Sequence, residues 1–99
     1  MTIKKTQNGS ELTIALEGRL DTTTAPDLDK ELGQNLADVK DLIFDFEKLS
    51  YISSAGLRVL LSAQKTMNTK GTMVVRNANQ DIMDIFEVTG FTDILTIES

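Results

Sequence analysis

The sequence predicts one α/β domain with the element order ββαβαβαβ and a mostly parallel central sheet. Three observations predict this fold. Apolar and polar residues alternate near the start of the chain, leucines then recur at helical spacing, and short apolar runs alternate with amphipathic segments up to the end. Strands that alternate with helices imply right-handed crossovers, parallel strands and helices packed on the sheet. With 99 residues, the chain 1–99 has the size of a single domain.

An N-terminal hairpin is the first predicted unit. Residues 11–17 alternate between apolar side chains and polar or small ones, which is the period of a half-buried strand. Asn8-Gly9 comes just before them and predicts the turn, because both residue types tolerate a positive φ angle. Residues 3–7 are polar, so we expect the first strand to be short or to lie at an edge of the sheet.

A helix is predicted next, within residues 22–39. Its leucines at positions 28, 32 and 36 recur every four residues and form one apolar stripe. Thr24 is the predicted N-cap, and Asp27, three residues later, is an acid whose side chain can accept from the N-cap backbone N–H. Gly33 lies inside this helix and costs about 1 kcal/mol relative to alanine.

The rest of the chain alternates strand and helix. Four apolar residues within 41–46 predict a strand that is covered on both faces, as in a parallel sheet. The later elements are predicted as a helix over 54–71, a strand over 72–76, a helix over 79–90 and a short strand over 94–97. Gly71 and Gly90 are the predicted C-terminal glycines of the two helices.

The composition disfavours several classes of function. A net charge of −5 argues against nucleic acid, because that binding depends on cations that neutralise phosphates. The chain has no cysteine and no histidine, which removes thiolate metal sites and the usual proton shuttle. No apolar run approaches the roughly 20 residues of a membrane span and no leader is recognised, so we expect a cytoplasmic protein without a membrane partner. We also expect no enzymatic activity, no metal and no cofactor.

The functional crevice of such a sheet lies beyond the carboxyl ends of its strands. Two connections leave that end, one over residues 17–24 and one over residues 47–56. If the strands before them are neighbours, these connections lie close together. The pair Ser53-Ser54 falls in the second connection, immediately before a predicted helix.

Ser53-Ser54 has three interpretations. The first is capping, in which a serine oxygen accepts a free N–H of the first helical turn and stabilises the fold by about 1 kcal/mol. The second is phosphorylation of Ser54, because a helix start favours an anion and the small Ala55 and Gly56 leave the hydroxyl reachable. The third is nucleophilic catalysis, which is disfavoured because serine needs an adjacent base and the sequence has no histidine.

Asp21 is the other polar residue that we single out. It is either a loop acid that caps the first helix, or a residue across the crevice from the serines. In the second case it would contact a partner or help to orient the hydroxyl for a kinase. Asp21, Asp45 and Glu47 could together form a metal site, but three acids without a fixed spacing are a weak signal and ordinary structural roles are favoured.

Three segments carry a resemblance to a known family. They are GRLDTTTAPDL at 18–28, LIFDFEKLSYISSAGLRVLL at 42–61 and VTGFTDIL at 88–95. Together with the leading hairpin, they make the chain resemble a STAS domain of the bacterial anti-sigma factor antagonist type over nearly all of its length. The middle segment is the most specific of the three. The resemblance implies the STAS fold, in agreement with the element order above.

The resemblance also implies partner switching. In that family the unmodified antagonist binds an anti-sigma factor, which is also a GHKL-type serine kinase, and a sigma factor is released. The kinase disables the antagonist by phosphorylating a serine at the start of the second long helix, and a metal-dependent serine phosphatase restores it. On this chain the family's serine falls on Ser54 and its loop aspartate on Asp21. Isolated members often behave as monomers, and we expect the same here.

Ser53 is the one departure from the family pattern. Many members have aspartate at this position, so Ser53 is expected to take over the capping role, and it is also the alternative acceptor. The partner-binding residues implied by the resemblance are Asp21, Thr22, Thr23, Ser53, Ser54, Ala55, Gly56, Leu57 and Arg58. The alternative function is a STAS interaction module of a lipid-transport or stress-sensing complex, in which the serine acts only as a cap.

Overall fold

Strands and helices follow one another in the predicted order in a computed structural model, which describes residues 1–98. The strands are β1 Thr2–Asn8, β2 Glu11–Leu20, β3 Asp41–Ile52, β4 Thr72–Arg76 and β5 Thr96–Glu98. The helices are α1 Ala25–Asn35, α2 Ser54–Asn68 and α3 Gln80–Thr89, and a short 3-10 turn at Phe91–Asp93 leads into β5. The order ββαβαβαβ is therefore confirmed.

The five strands form one sheet in the order β1-β2-β3-β4-β5. β1 pairs with β2 antiparallel, and every later pair is parallel. Each crossover after the hairpin moves one strand further in the same direction. Because such crossovers are right-handed, we expect the three helices to lie on the same face of the sheet.

The burial pattern agrees with this one-sided arrangement and corrects one prediction. All three helices and alternate strand residues such as Leu42, Phe44 and Phe46 form one continuous core. Ile43 is 8% exposed but lies outside that core, and its neighbour Asp45 is only half-buried. The expectation that β3 is covered on both faces is therefore wrong. Side chains alternate along a strand, so Ile43 and Asp45 point to the face opposite the core that contains the helices.

The hairpin turn lies one residue later than predicted. Asn8 still pairs with Glu11 across the ladder, so the two-residue loop is Gly9-Ser10 and not Asn8-Gly9. Gly9 has a φ of 60°, which glycine adopts without steric cost. β1 is an edge strand, as predicted.

Helix ends agree with the prediction only in part. Thr24 and Ser53 occupy the N-cap positions of α1 and α2, but neither side chain makes a capping hydrogen bond. The side chain that does cap is Asn79, whose Oδ1 accepts from the backbone N–H of Ile82 at 2.8 Å. Gly90 ends α3 in the left-handed conformation, with a φ of 79°, as expected for a C-terminal glycine.

Gly71 is required for a different reason from the one predicted. It follows α2 without adopting the left-handed conformation that a C-terminal glycine usually takes. A Cβ atom at this position would collide with the backbone carbonyl of Lys40. The close approach of two backbone segments, and not the helix end, therefore selects glycine here.

β3 is twice as long as the predicted strand, and this length positions the site. Residues 47–52 were expected to be part of a connection, but they continue to pair with β2 up to the match of Leu20 with Ile52. The ladder is irregular between Ala15 and Glu17 and again between Gly18 and Arg19. These irregularities break the period of two, which is why the sequence pattern did not reveal the second half of the strand.

Candidate functional site

The carboxyl ends of β2 and β3 lie side by side. Arg19 pairs with Tyr51 and Leu20 with Ile52, and the ladder is extended by a hydrogen bond of 2.9 Å from the Ser53 N–H to the Leu20 carbonyl. The two connections named from the sequence therefore leave neighbouring strands, which is the condition under which they lie close together. What was predicted as a long loop after β3 is reduced to one residue before α2 begins.

The two serines of that junction differ sharply in their surroundings. Ser53 has extended backbone angles, with a φ of −100° and a ψ of 176°, and its carbonyl accepts from the Leu57 N–H at 3.0 Å. Its Oγ is buried and has no hydrogen-bond partner. Ser54 is the first residue of α2 and is exposed. In this geometry the hydroxyl available to another protein is that of Ser54.

The start of α2 carries an uncompensated positive dipole. The first turn contains no acidic residue, and the N-cap side chain donates or accepts no capping hydrogen bond. The free N–H groups of a first turn favour a negative charge nearby, typically by 0.3–1 kcal/mol at an exposed position. The end of the helix that bears Ser54 is therefore suited to an anionic group.

Gly56 and Leu57 follow Ser54 in α2 and face the interior of the protein. Both are buried, whereas Ala55 is half-buried and Arg58 is exposed. A Cβ atom on Gly56 would come within 2.7 Å of Leu20 Cγ and 2.9 Å of an Ile52 side-chain carbon. Gly56 thus lets α2 approach the ends of β2 and β3 closely, and neither it nor Leu57 presents a contact surface of its own.

Asp21 organises the connection between β2 and α1. Its Oδ1 accepts from the Thr23 hydroxyl at 2.7 Å, from the Thr23 N–H at 3.0 Å and from the Thr24 N–H at 3.2 Å. These bonds, that of the Thr23 hydroxyl first, hold the pKa of the Asp21 carboxyl below its ordinary value. Asp21 therefore orders the loop before α1 without capping the helix, and its second oxygen, Oδ2, faces Arg19 at 3.8 Å.

A groove of about 410 Å³ runs between α1 and α2 beside the serines. It brings together three of the residues that the sequence analysis singled out, Thr22, Ala55 and Arg58. Its remaining lining residues are Ala25, Pro26, Asp29, Val59 and Ser62. Ala25 and Val59 are buried, whereas Asp29 and Arg58 are exposed, and this mixture is closer to a protein-contact surface than to a closed substrate pocket.

Two functional candidates were missed by the sequence analysis. Arg19 lies over the ring of Tyr51, with Cζ 4.3 Å from the ring centroid. Both side chains are at the surface, and both lie within three residues of the predicted site. The signal in the sequence that points to them is Gly18, because a glycine inside a strand pattern often marks a bulge.

The three acids weighed as metal ligands are not brought together. Asp45 Oδ1 accepts from Asn77 Nδ2 and from the Glu47 backbone N–H, both at 3.0 Å. Within residues 1–98 no group of three or more acidic side chains has the geometry to hold a metal ion. In the same part of the chain, no helix combines the length and the apolar character that crossing a bilayer demands.

Comparison with known proteins places the chain in a family. The family model described as the STAS domain matches residues 2–99. BtrV of Bordetella bronchiseptica, a protein named as an anti-sigma factor antagonist, is 32% identical over 88 residues, covering 87% of this chain and 76% of the relative. The anti-sigma-B factor antagonist of Bacillus subtilis is 27% identical over 94 residues, covering 94% of this chain and 86% of the relative.

Solved structures support the same fold. The anti-sigma factor antagonist SpoIIAA in its unphosphorylated form superposes with a TM-score of 0.80 at 17% identity, covering 99% of this chain and 88% of that one. The phosphorylated form gives a TM-score of 0.78 at 18% identity, covering 99% and 92%. The match over residues 2–99, the identity with BtrV and this shared fold show that the chain belongs to the STAS domain family, among relatives named anti-sigma factor antagonists.

Proposed function

We propose that this protein is an anti-sigma factor antagonist that is switched by phosphorylation of Ser54. In the unmodified state it docks on an anti-sigma factor with a GHKL-type serine kinase domain and thereby releases a sigma factor. The kinase transfers a phosphoryl group to Ser54, and a serine phosphatase removes it. The protein acts by binding and has no catalytic activity of its own, as a monomer in the cytoplasm.

One observation carries the choice of Ser54 over Ser53. Ser54 is exposed at the first position of α2, whereas the Ser53 oxygen is buried without a partner. A kinase must reach the acceptor oxygen in line with the γ-phosphate of ATP, so a hydroxyl turned into the protein is a poor acceptor. The relatives support the same class of function, because their names are those of anti-sigma factor antagonists.

The switch follows from the charge that phosphate adds. A phosphoserine brings about −1.5 to −2 charges and three acceptor oxygens to the start of α2. The helix dipole tolerates this charge within the free protein, so the fold is kept. A partner surface that fits the neutral hydroxyl would have to desolvate the same charge without compensation, which costs several kcal/mol and ends the docking.

The first test is a phosphorylation assay with purified GHKL-type kinases from the source cell. Each kinase is incubated with ATP and the protein, and the modified peptide is mapped by mass spectrometry. Ser53→Ala and Ser54→Ala form a matched pair, because they differ only in which neighbouring hydroxyl is removed. We expect Ser53→Ala to be phosphorylated and Ser54→Ala not to be. Normal phosphorylation of Ser54→Ala would contradict the assignment.

The second test measures binding of the kinase that phosphorylates the parent. Ser54→Asp is expected to weaken binding, although one carboxylate is a poor copy of a dianion, and Ser54→Ala is expected to bind like the parent. Ser10→Asp is the control, because it adds the same charge in the hairpin turn at the opposite end of β2. If Ser54→Asp binds as tightly as Ser10→Asp, a switch based on charge is not how the protein works.

A further inference from the structure

Arg19 is held in place but its hydrogen-bonding capacity is unused. Its guanidinium lies over the Tyr51 ring, and its Nε is 3.8 Å from Asp21 Oδ2, too far for a hydrogen bond. Within residues 1–98 the side chain of Arg19 donates no hydrogen bond. Arg76 shows the contrast, because its Nε donates to Glu98 Oε1 at 2.8 Å. An arginine carries five N–H donors in a planar fork, and those of Arg19 are available to another molecule.

The backbone is shaped to give Arg19 this position. The β2–β3 ladder is irregular between Gly18 and Arg19, and Gly18 has a φ of 102°, which side-chain-bearing residues rarely adopt. The Ser50 hydroxyl secures this conformation by donating to the Gly18 carbonyl at 2.8 Å. The extra residue at this irregularity is Ser50 of β3, and it shifts the register so that Tyr51 lies opposite Arg19.

Tyr51 and Arg19 also have the exposure that a contact pair needs. Tyr51 is 37% exposed, whereas Phe44, Phe46 and Phe86 are fully buried. The Arg19 side chain is 61% exposed. Tyrosine and arginine are enriched among the residues that dominate binding energy in protein interfaces. Because stacking already restricts the Arg19 side chain, less conformational entropy is lost when it binds.

We propose that Arg19, ordered on the Tyr51 ring, recognises a carboxylate on the surface of the docking partner. This inference rests on the proposed function, since it concerns the same docking face next to Ser54. A planar guanidinium with free donors matches the two oxygens of an Asp or Glu side chain, in a bidentate pair that fixes orientation as well as affinity. The partner is therefore a protein whose docking surface presents an acidic side chain opposite Arg19, although this chain carries a net charge of −5.

The test measures the affinity of the kinase that phosphorylates the parent for four variants. Arg19→Gln should lower the affinity about 30-fold, which is the size of a strong interface contact. Arg19→Lys keeps the charge but loses the fork and the stacking, so it should fall between Arg19→Gln and the parent. Tyr51→Ala should lower the affinity about tenfold by releasing the arginine. Arg76→Gln is the matched control and should stay within about twofold of the parent.

Salt dependence gives an independent readout. The association rate of the parent should fall as NaCl is raised, and Arg19→Gln should fall less steeply because one attractive charge is gone. Melting temperatures close to that of the parent will show that the variants are folded. If the parent binds but Arg19→Gln binds as Arg76→Gln does, the inference is overturned while the proposed function stands. If the parent binds no such kinase, the proposed function fails and this inference with it.

Discussion

Two glycines in helices provide a sharp test of how the site is built. Gly33 in α1 and Gly56 in α2 receive the same substitution, to alanine. At Gly33 nothing lies within 4 Å of the added Cβ atom, whereas at Gly56 it meets Leu20 Cγ at 2.7 Å and an Ile52 side-chain carbon at 2.9 Å. The two variants therefore differ in packing and share the gain in helix propensity.

The expected magnitudes follow from two opposing effects. Replacing glycine by alanine within a helix stabilises by about 1 kcal/mol. Overpacking a core typically costs about 1–3 kcal/mol, because neighbouring side chains must leave their rotamers. Gly33→Ala should therefore stabilise the protein by about 0.5–1 kcal/mol. Gly56→Ala should destabilise it by up to about 2 kcal/mol, and Gly56→Val should cost more because its side chain is branched at Cβ.

Urea unfolding followed by circular dichroism measures both variants. A protein of this size has an m-value of roughly 1–3 kcal/mol per molar urea, so a loss of 1 kcal/mol moves the midpoint by about 0.3–1 M. Thermal melting gives a second estimate, at about 4–8 °C for each kcal/mol. If Gly56→Ala is as stable as the parent or more stable, the close contact between α2 and the ends of β2 and β3 is not what selects glycine there.

Three further variants test individual contacts. Gly71→Ala should cost several kcal/mol of stability or prevent folding, because the added Cβ atom meets backbone, which cannot move aside as a side chain can. The soluble yield and the melting temperature measure this, and a normal melting temperature would contradict it. Ser53→Ala should be neutral or stabilising in urea unfolding, because its hydroxyl is buried without a partner; a loss of about 1 kcal/mol would show that it caps after all. The pKa of the Asp21 carboxyl is lowered in the folded protein, mainly by the hydrogen bond from the Thr23 hydroxyl. The contribution of Asp21 to folding stability is therefore complete above the unfolded pKa of about 4 and is lost as pH falls through the folded pKa. Asp21→Asn should therefore flatten the acid side of the stability curve below about pH 4, and an unchanged curve would refute this role.

The secondary-structure order could be predicted because its signals are local. Leu28 and Leu32 of α1 and Leu36 at its C-cap are all buried, and Gly90 ends α3 as expected. The two connections lie close together because β2 and β3 are neighbours, which the sequence analysis left as a condition. These features depend on the periods of helices and strands and on the handedness of crossovers, which a sequence expresses directly.

The features that were missed depend on contacts between distant segments. The second half of β3 does not show a strand pattern in the sequence, because two irregularities in its ladder with β2 disturb the alternation. The capping roles assigned to Ser53 and Thr24 failed, since residue type shows which side chains can cap but not where their oxygens turn. The stacking of Arg19 on Tyr51 joins residues 32 positions apart, and only the register of β2 against β3 reveals it.

The hydrogen bond from the Ser53 N–H to the Leu20 carbonyl has a practical consequence for studying the protein. It ties the residue before Ser54 to the neighbouring strand, so the backbone around this proposed acceptor has little freedom to rearrange. If Ser54 is phosphorylated as proposed, methods that report on secondary structure or shape, such as circular dichroism or small-angle scattering, should barely distinguish the two forms. Anion-exchange chromatography and native electrophoresis are the appropriate tools, because they sort molecules by an added charge of about −2 on a body that already carries −5.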